Sequence, residues 1–200
     1  MFITFEGGEG AGKSTLIKKV KDALEERGNS VILTREPGGT VFGEELRHLV
    51  LEQRQDVRIS AKAELFLFLA ARVQHIEEVI RPAIASGKIV LCDRFCDSTI
   101  AYQGMGRGLG MEYVAKCCEM AVGSMVPDLT FYIDIDPKIG LARASCRAGF
   151  DRIEIEKIAF HQLVRDGFHQ LAKQYPHRIV MLDGEKNATE VFEDAMSKIV

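Results

Sequence analysis

The chain contains no tryptophan, and none of its apolar runs approaches the length of a membrane span. No membrane partner is expected. A net charge of only −3 excludes a global pull towards polyanions, so no nucleic acid is expected as a partner either. An anionic substrate would have to be gripped by local basic residues. Zinc-finger spacing is absent: Cys92 and Cys96 lie four apart, with no second Cys or His pair to match. The five cysteines are an odd number, and because Met1 enters an apolar strand directly no signal peptide is expected. A reducing cytoplasm with free thiols is the expectation. The N-K-x-D that reads a guanine base is missing from both Asp134-Ile135-Asp136-Pro137 and Lys186-Asn187-Ala188-Thr189. That weighs against a GTP-type switch.

What is present is concentrated at the start. Gly7-Gly8-Glu9-Gly10-Ala11-Gly12-Lys13-Ser14-Thr15 fits G-x-x-x-x-G-K-[ST], the phosphate-binding loop. The β-prone run Met1–Phe5 precedes it. Leu16, Ile17, Val20, Ala23 and Leu24 follow at helical spacing. Strand, glycine loop, helix is the context the motif requires. Glycines let successive backbone N–H groups converge on one anion, and the helix start adds free N–H groups and its positive dipole end. Lys13 supplies a point cation, and the Ser14 hydroxyl suits Mg²⁺.

The rest of the chain alternates strand and helix. Strands are expected at 1–5, 30–34, 88–92, 128–134 and 178–182. Helices are expected at about 13–27, after Thr40, from Ser60 towards Ser86, at 111–123, after Asp136-Pro137, from near Ile153 to Pro176, and after Asn187. Leu65–Ala71 is apolar on all sides, which implies burial all round. Gly104, Gly106 and Gly108 imply a short or broken helix over 97–110. The strands are continuous apolar runs, which implies an α/β fold with a parallel sheet covered by helices on both faces. With no linker or repeat, residues 1–200 read as one domain.

Ligands of such sheets bind at the carboxyl ends of the strands. Charged residues gather there: Glu6, Arg35-Glu36, Asp93-Arg94 and Asp134 with Asp136. Asp93 ends an apolar strand, as a carboxylate serving Mg²⁺ would. Arg94 offers a planar fork to phosphate oxygens. Phe68 and Arg72 share a helix face. Spacing alone leaves open whether they hold a base and its phosphate or form a core ring and an ion pair. Arg143, Arg147 and Arg152 surround a glycine break. That fits either a solvated helix end or a lid that closes an arginine onto a phosphoryl group.

At this point the chain resembles the bacterial thymidylate kinases. The matching pieces are FEGGEGAGKST (5–15), TREPGGT (34–40), FLAARVQH (68–75), DRFCDSTIAYQGMGRG (93–108), PDLTFYIDIDP (127–137) and DRIE (151–154). The resemblance implies a three-layer P-loop NTPase fold with strand order 2-3-1-4-5 and a short lid at about 143–153. It implies ATP-dependent phosphorylation of dTMP with Mg²⁺, usually in a homodimer. Carried over by motif, Lys13, Asp93, Arg94 and Arg147 would be catalytic, Arg147 because the phosphate loop carries Glu9 and no arginine. Phe68 would stack on thymine, with Arg72, Thr99 and Gln103 at the base and Tyr102 near the sugar. Glu6, Glu36 and Arg47 would belong to the acceptor site, and Arg94 would bridge the two phosphates. Phe95 stands where Tyr or His is commoner in the family. A deoxynucleoside kinase is the nearest rival, with Glu36 as its base, but such enzymes place a Trp after a similar Glu-Pro.

Overall fold

A computed structural model describes residues 1–53, 58–145 and 151–199. The chain runs β1 (Phe2–Gly7), α1 (Lys13–Glu26), β2 (Val31–Arg35), α2 (Val41–Leu51) and α3 (Ala61–His75). A π-helical turn (Ile76–Ile80) leads into α4 (Arg81–Ala85) and β3 (Ile89–Asp93). Then come α5 (Cys96–Thr99), a second π-helical turn (Ile100–Gly106), α6 (Met111–Val122), β4 (Leu129–Asp134), α7 (Pro137–Ala144), α8 (Ile158–Gln174), β5 (Ile179–Asp183) and α9 (Ala188–Met196). All four strand pairings are parallel, in the order β2-β3-β1-β4-β5. No helix among the described residues is long and apolar enough to cross a membrane.

β1 is central and buried along its whole length, with β3 and β4 on either side of it. Its alternate side chains face two cores. Ile3 and Phe5 pack with α1 and α9 residues such as Leu16, Val20 and Val191. Phe2 joins Ile76, Ile80 and Phe95 on the other face. A third cluster, around Tyr102, Tyr132 and Phe168, binds α3, α6 and α8 together. The helix starts are chemically marked. Thr40 and Ser60 accept from Gly43 N–H and Ala63 N–H, Asp136 caps with Pro137 at the first helical position, and Asn187 with Glu190 forms a complete capping box.

Three expectations need correction. The segment 97–110 does not break at its glycines: helical turns continue to Gly106. Gly104 and Gly106 are there for close packing. A Cβ on Gly106 would sit 2.7 Å from the Phe160 ring, so the glycine lets α8 approach. The helix expected from Ile153 starts only at Ile158. The Asp151 carboxylate accepts from the N–H groups of Ile153 and Glu154, both at 2.8 Å, folding a tight turn, and Lys157 is extended before α8 begins. Finally, α3 is not buried all round. Phe66 is 54% exposed and Val73 41%, with Ala70 exposed between them. At spacings of four and three residues they form one outward apolar face.

Candidate active site

A cleft of about 530 Å³ opens at the carboxyl ends of the strands. At one end are Glu9–Thr15 of the loop between β1 and α1, and Asp93 and Arg94 after β3. At the other are Glu36 and Arg47, Phe68 and Arg72 of α3, and Thr99, Tyr102 and Gln103 from the α5 region. Arg143 and the turn around Ile153 also line it.

The loop end is built from backbone. Gly7 and Gly10 have positive φ, 146° and 65°, which glycine tolerates. A Cβ on Gly7 would lie 2.7 Å from the Ile133 carbonyl oxygen, and one on Gly10 would collide with the Gly140 carbonyl of α7. The loop is therefore wedged between β4 and α7. Lys13 is buried, and its ammonium donates to the carbonyls of Gly7 and Gly8, both at 3.1 Å. Burial, and then Arg94, push its pKa down, against the pull of Asp93, Glu9 and Glu6. Ser14 and Thr15 are exposed towards the cleft. Asp93 Oδ1 is buried and has no hydrogen-bond partner among the described residues. A sealed carboxylate oxygen beside an open hydroxyl is a donor pair that suits a hard divalent cation.

Arg94 stands between the two ends. Its φ of 70° is unusual for a residue with a side chain and costs roughly 1 kcal/mol or more. The backbone is held there by its own N–H donating to Phe5 O at 3.0 Å. The result aims the guanidinium at the loop: it donates to Gly7 O at 3.0 Å and to Glu9 at 2.7 Å, and lies 4.9 Å over the Tyr102 ring. The Tyr102 hydroxyl donates to the same Glu9 oxygen at 2.9 Å. Burial opposes ionisation of Glu9, but Arg94, Lys13 and the Tyr102 hydroxyl outweigh it and hold the carboxyl down at about 2.

At the far end the side chains already hold one another. Buried Arg72 donates to Glu36 at 2.6 Å and to Thr99 at 3.0 Å, and stacks 5.0 Å over Phe95. The ion-pair alternative is seen, with Phe68 in the adjoining core cluster, and both side chains also line the cleft. Glu36 is further held by His75 Nδ1 at 2.9 Å, whose Nε2 is 2.6 Å from the Thr34 hydroxyl. Arg47 donates to the Pro37 carbonyl at 2.9 Å. Burial, then the nearby Arg35, lower its pKa against the pull of Glu44 and Asp151. Glu64, 1% exposed, takes hydrogen bonds from Gln103, Arg107 and Arg152.

Some expected site residues lie elsewhere. Glu6 is beneath the cleft floor, fully buried, accepting from Phe95 N–H at 2.8 Å and from the Ser98 hydroxyl. Burial, then the neighbouring Asp97, raise its pKa to about 8 despite Ser98, Arg94 and the Phe95 N–H. Gly7 and Gly8 support the loop from behind rather than lining the cleft. Arg152 is anchored to Glu64 and to the Val50 carbonyl (2.7 Å). Arg143 does line the cleft, but its guanidinium is engaged by Gly184 O at 2.9 Å. Helix α7 ends at Ala144, and Arg147 lies outside the described residues. Glu64, His75 and Thr34 are members of the site that sequence reasoning missed. A signal existed for two of them: Glu64, Arg72 and His75 fall with Phe68 at spacings of three or four residues, putting three polar side chains on one buried helix face.

A glycine loop between a central strand and a helix, facing a pre-formed pocket across one arginine, defines a P-loop phosphotransferase with a second, anionic substrate. The comparisons narrow the class. The thymidylate kinase family model matches residues 5–195, and the chain belongs to that family. It is 49% identical over 202 residues to the thymidylate kinase of Protochlamydia amoebophila, covering 98% of this chain and 90% of that protein. The Gloeobacter violaceus thymidylate kinase is 48% identical, covering 100% and 94%. The crystal structure of the Ehrlichia chaffeensis thymidylate kinase superposes with a TM-score of 0.80 at 36% identity, covering all of this chain and 98% of that one.

Proposed function

We propose that the protein transfers the γ-phosphoryl group of ATP to dTMP, giving dTDP and ADP and so feeding dTTP synthesis. The observation that carries this reading is the single cleft joining the phosphate loop to the Arg72–Glu36–Thr99 pocket through Arg94. The acceptor is itself a phosphate, with a second pKa of about 6, and so is largely dianionic at neutral pH. Its oxygen is already nucleophilic, and no general base is needed. The chemical problem is to hold two polyanions together.

Lys13 and the loop N–H groups grip the donor phosphates in this reading. Arg94 lies between donor and acceptor and screens their repulsion. Phe68 stacks on the base, and Arg72, Thr99 and Gln103 hold its edge. Arg47 meets the acceptor phosphate, while Tyr102 and Glu36 border the sugar. Ser14 and Asp93 would hold Mg²⁺, which neutralises charge on the transferred group. By resemblance, a lid at about 143–153 closes over a single domain, and Arg147 supplies the last cation. The enzyme works in the cytoplasm as a homodimer. The apolar face of Phe66, Ala70 and Val73 on α3 supports the dimer, because solvent exposure of such a face is unfavourable.

A panel of nucleoside monophosphates with ATP, monitored for ADP, tests the reaction. dTMP is expected to turn over best, and a purine monophosphate in first place would overturn the reading. Thymidine in place of dTMP separates it from a nucleoside kinase. Sedimentation of wild-type and Phe66→Glu protein tests the dimer, which the substitution is expected to dissociate.

A further inference from the structure

We propose that Glu64 is a positioning residue that sets base specificity by fixing which end of the Gln103 amide faces the nucleotide. The inference rests on the pyrimidine-monophosphate reading above. The two ends of an amide have almost the same shape, so a partner must decide the orientation. Gln103 is 2% exposed and lines the cleft. Its amide is held by Glu64 Oε1 at 2.8 Å.

An ionised carboxylate only accepts hydrogen bonds. Burial opposes ionisation of Glu64, but Gln103, Arg107 and Arg152 outweigh it and lower its pKa. Glu64 is therefore charged at neutral pH, and it can take only the NH₂ end of the amide. The carbonyl oxygen is left as the end offered to the cleft. Arg107 donates to both Glu64 oxygens, sharing Oε1 with Gln103, and Arg152 donates to Oε2; they balance the buried charge, and either one leaves the carboxylate paired when the other is removed.

A carbonyl oxygen at that place accepts from a ring N–H. Thymine and uracil carry N–H at ring position 3, whereas cytosine carries a lone pair there. Two lone pairs facing each other in a buried pocket repel and leave both groups unsatisfied. The device selects imide bases against cytosine and is blind to the thymine methyl.

The test compares kcat/KM on dTMP and dCMP for the full-length enzyme and two variants. Glu64→Gln frees the amide to turn. The dTMP-over-dCMP ratio is expected to fall about tenfold or more, the worth of one hydrogen bond, mainly through a higher KM for dTMP. Arg107→Gln removes a different partner of the same carboxylate and leaves Glu64 paired with Arg152. It is expected to lower the melting temperature while keeping the wild-type ratio. An unchanged ratio in E64Q, or an equal shift in R107Q, overturns the proposal. If E64Q does not fold, 3-methyl-dTMP decides with wild-type protein. Binding at least about tenfold weaker than dTMP supports the proposal, and equal binding overturns it. Wild-type enzyme inactive on dTMP but active on another monophosphate would reject the functional reading itself, and the proposal with it.

Discussion

The two ends of the cleft solve opposite problems. The loop end meets its ligand with backbone and leaves its key groups uncommitted: Ser14 is exposed and Asp93 Oδ1 has no partner among the described residues. The pocket end meets its ligand with side chains that are already tied down, as in the Thr34–His75–Glu36–Arg72–Thr99 chain. Triphosphates present many equivalent oxygens, so a nest of backbone donors suffices. A base presents a fixed pattern of donors and acceptors, so the groups that read it must be fixed beforehand. Substitutions at the loop end should therefore cost turnover and spare stability, while those at the pocket end should cost both.

The largest effect is expected where the two ends meet. Arg94→Ala should lower kcat by roughly 10³–10⁵, the range for a cation that neutralises a transferring phosphoryl group. Single-turnover measurement checks it, and a loss below tenfold would remove Arg94 from the phosphate path. Next, Glu36→Ala strips the counter-charge from buried Arg72 and should destabilise the fold by about 3–5 kcal/mol in urea unfolding. Ser14→Ala at the other end should change stability by no more than about 0.5 kcal/mol. Equal losses in the two variants would erase the distinction between the ends.

A third expectation concerns pH. Glu6, with its pKa raised from the ordinary carboxyl value of 4.5 to about 8, stays protonated in the folded state while the unfolded chain ionises. Below 4.5 both states hold the proton and no penalty arises. Between 4.5 and 8 the folded state binds more protons, so this group's contribution falls as pH rises and levels off above 8. Glu6→Gln should flatten that part of the stability–pH curve, and an unaltered curve would exclude Glu6 as its source. The smallest effect lies far from both ends: Asn187→Ala removes the capping box of α9 and should cost about 1 kcal/mol without altering kinetics.

The same contrast governs what was legible in the sequence. The loop is read from nine consecutive residues because its chemistry is local. The parallel sheet follows from apolar runs, and the helix starts at Ser60, Asp136 and Asn187 from cap residues. The pocket is assembled from partners far apart in sequence: Glu36 meets Arg72, Glu64 meets Gln103 and Arg152, and Glu6 meets Ser98. Apart from the helical spacing that aligns Glu64 with Arg72 and His75, nothing local distinguishes a buried carboxylate from a solvated one, so these roles come from resemblance or are missed. The glycines at 104 and 106 misled for a related reason. Their small size serves a neighbouring helix, and the sequence shows the residue without the neighbour.

The phosphate loop and α7 meet at Gly10 and Gly140, 130 positions apart in the chain, each packed against backbone of the other element where a Cβ would stand. Neither site is free to vary alone. A larger residue at Gly10 strikes the Gly140 carbonyl, and one at Gly140 strikes the Glu9 carbonyl. The phosphate loop and α7 are thus genetically coupled. Random drift at residue 140, which belongs to no recognisable motif, is closed off by a nucleotide-binding loop encoded near the start of the gene.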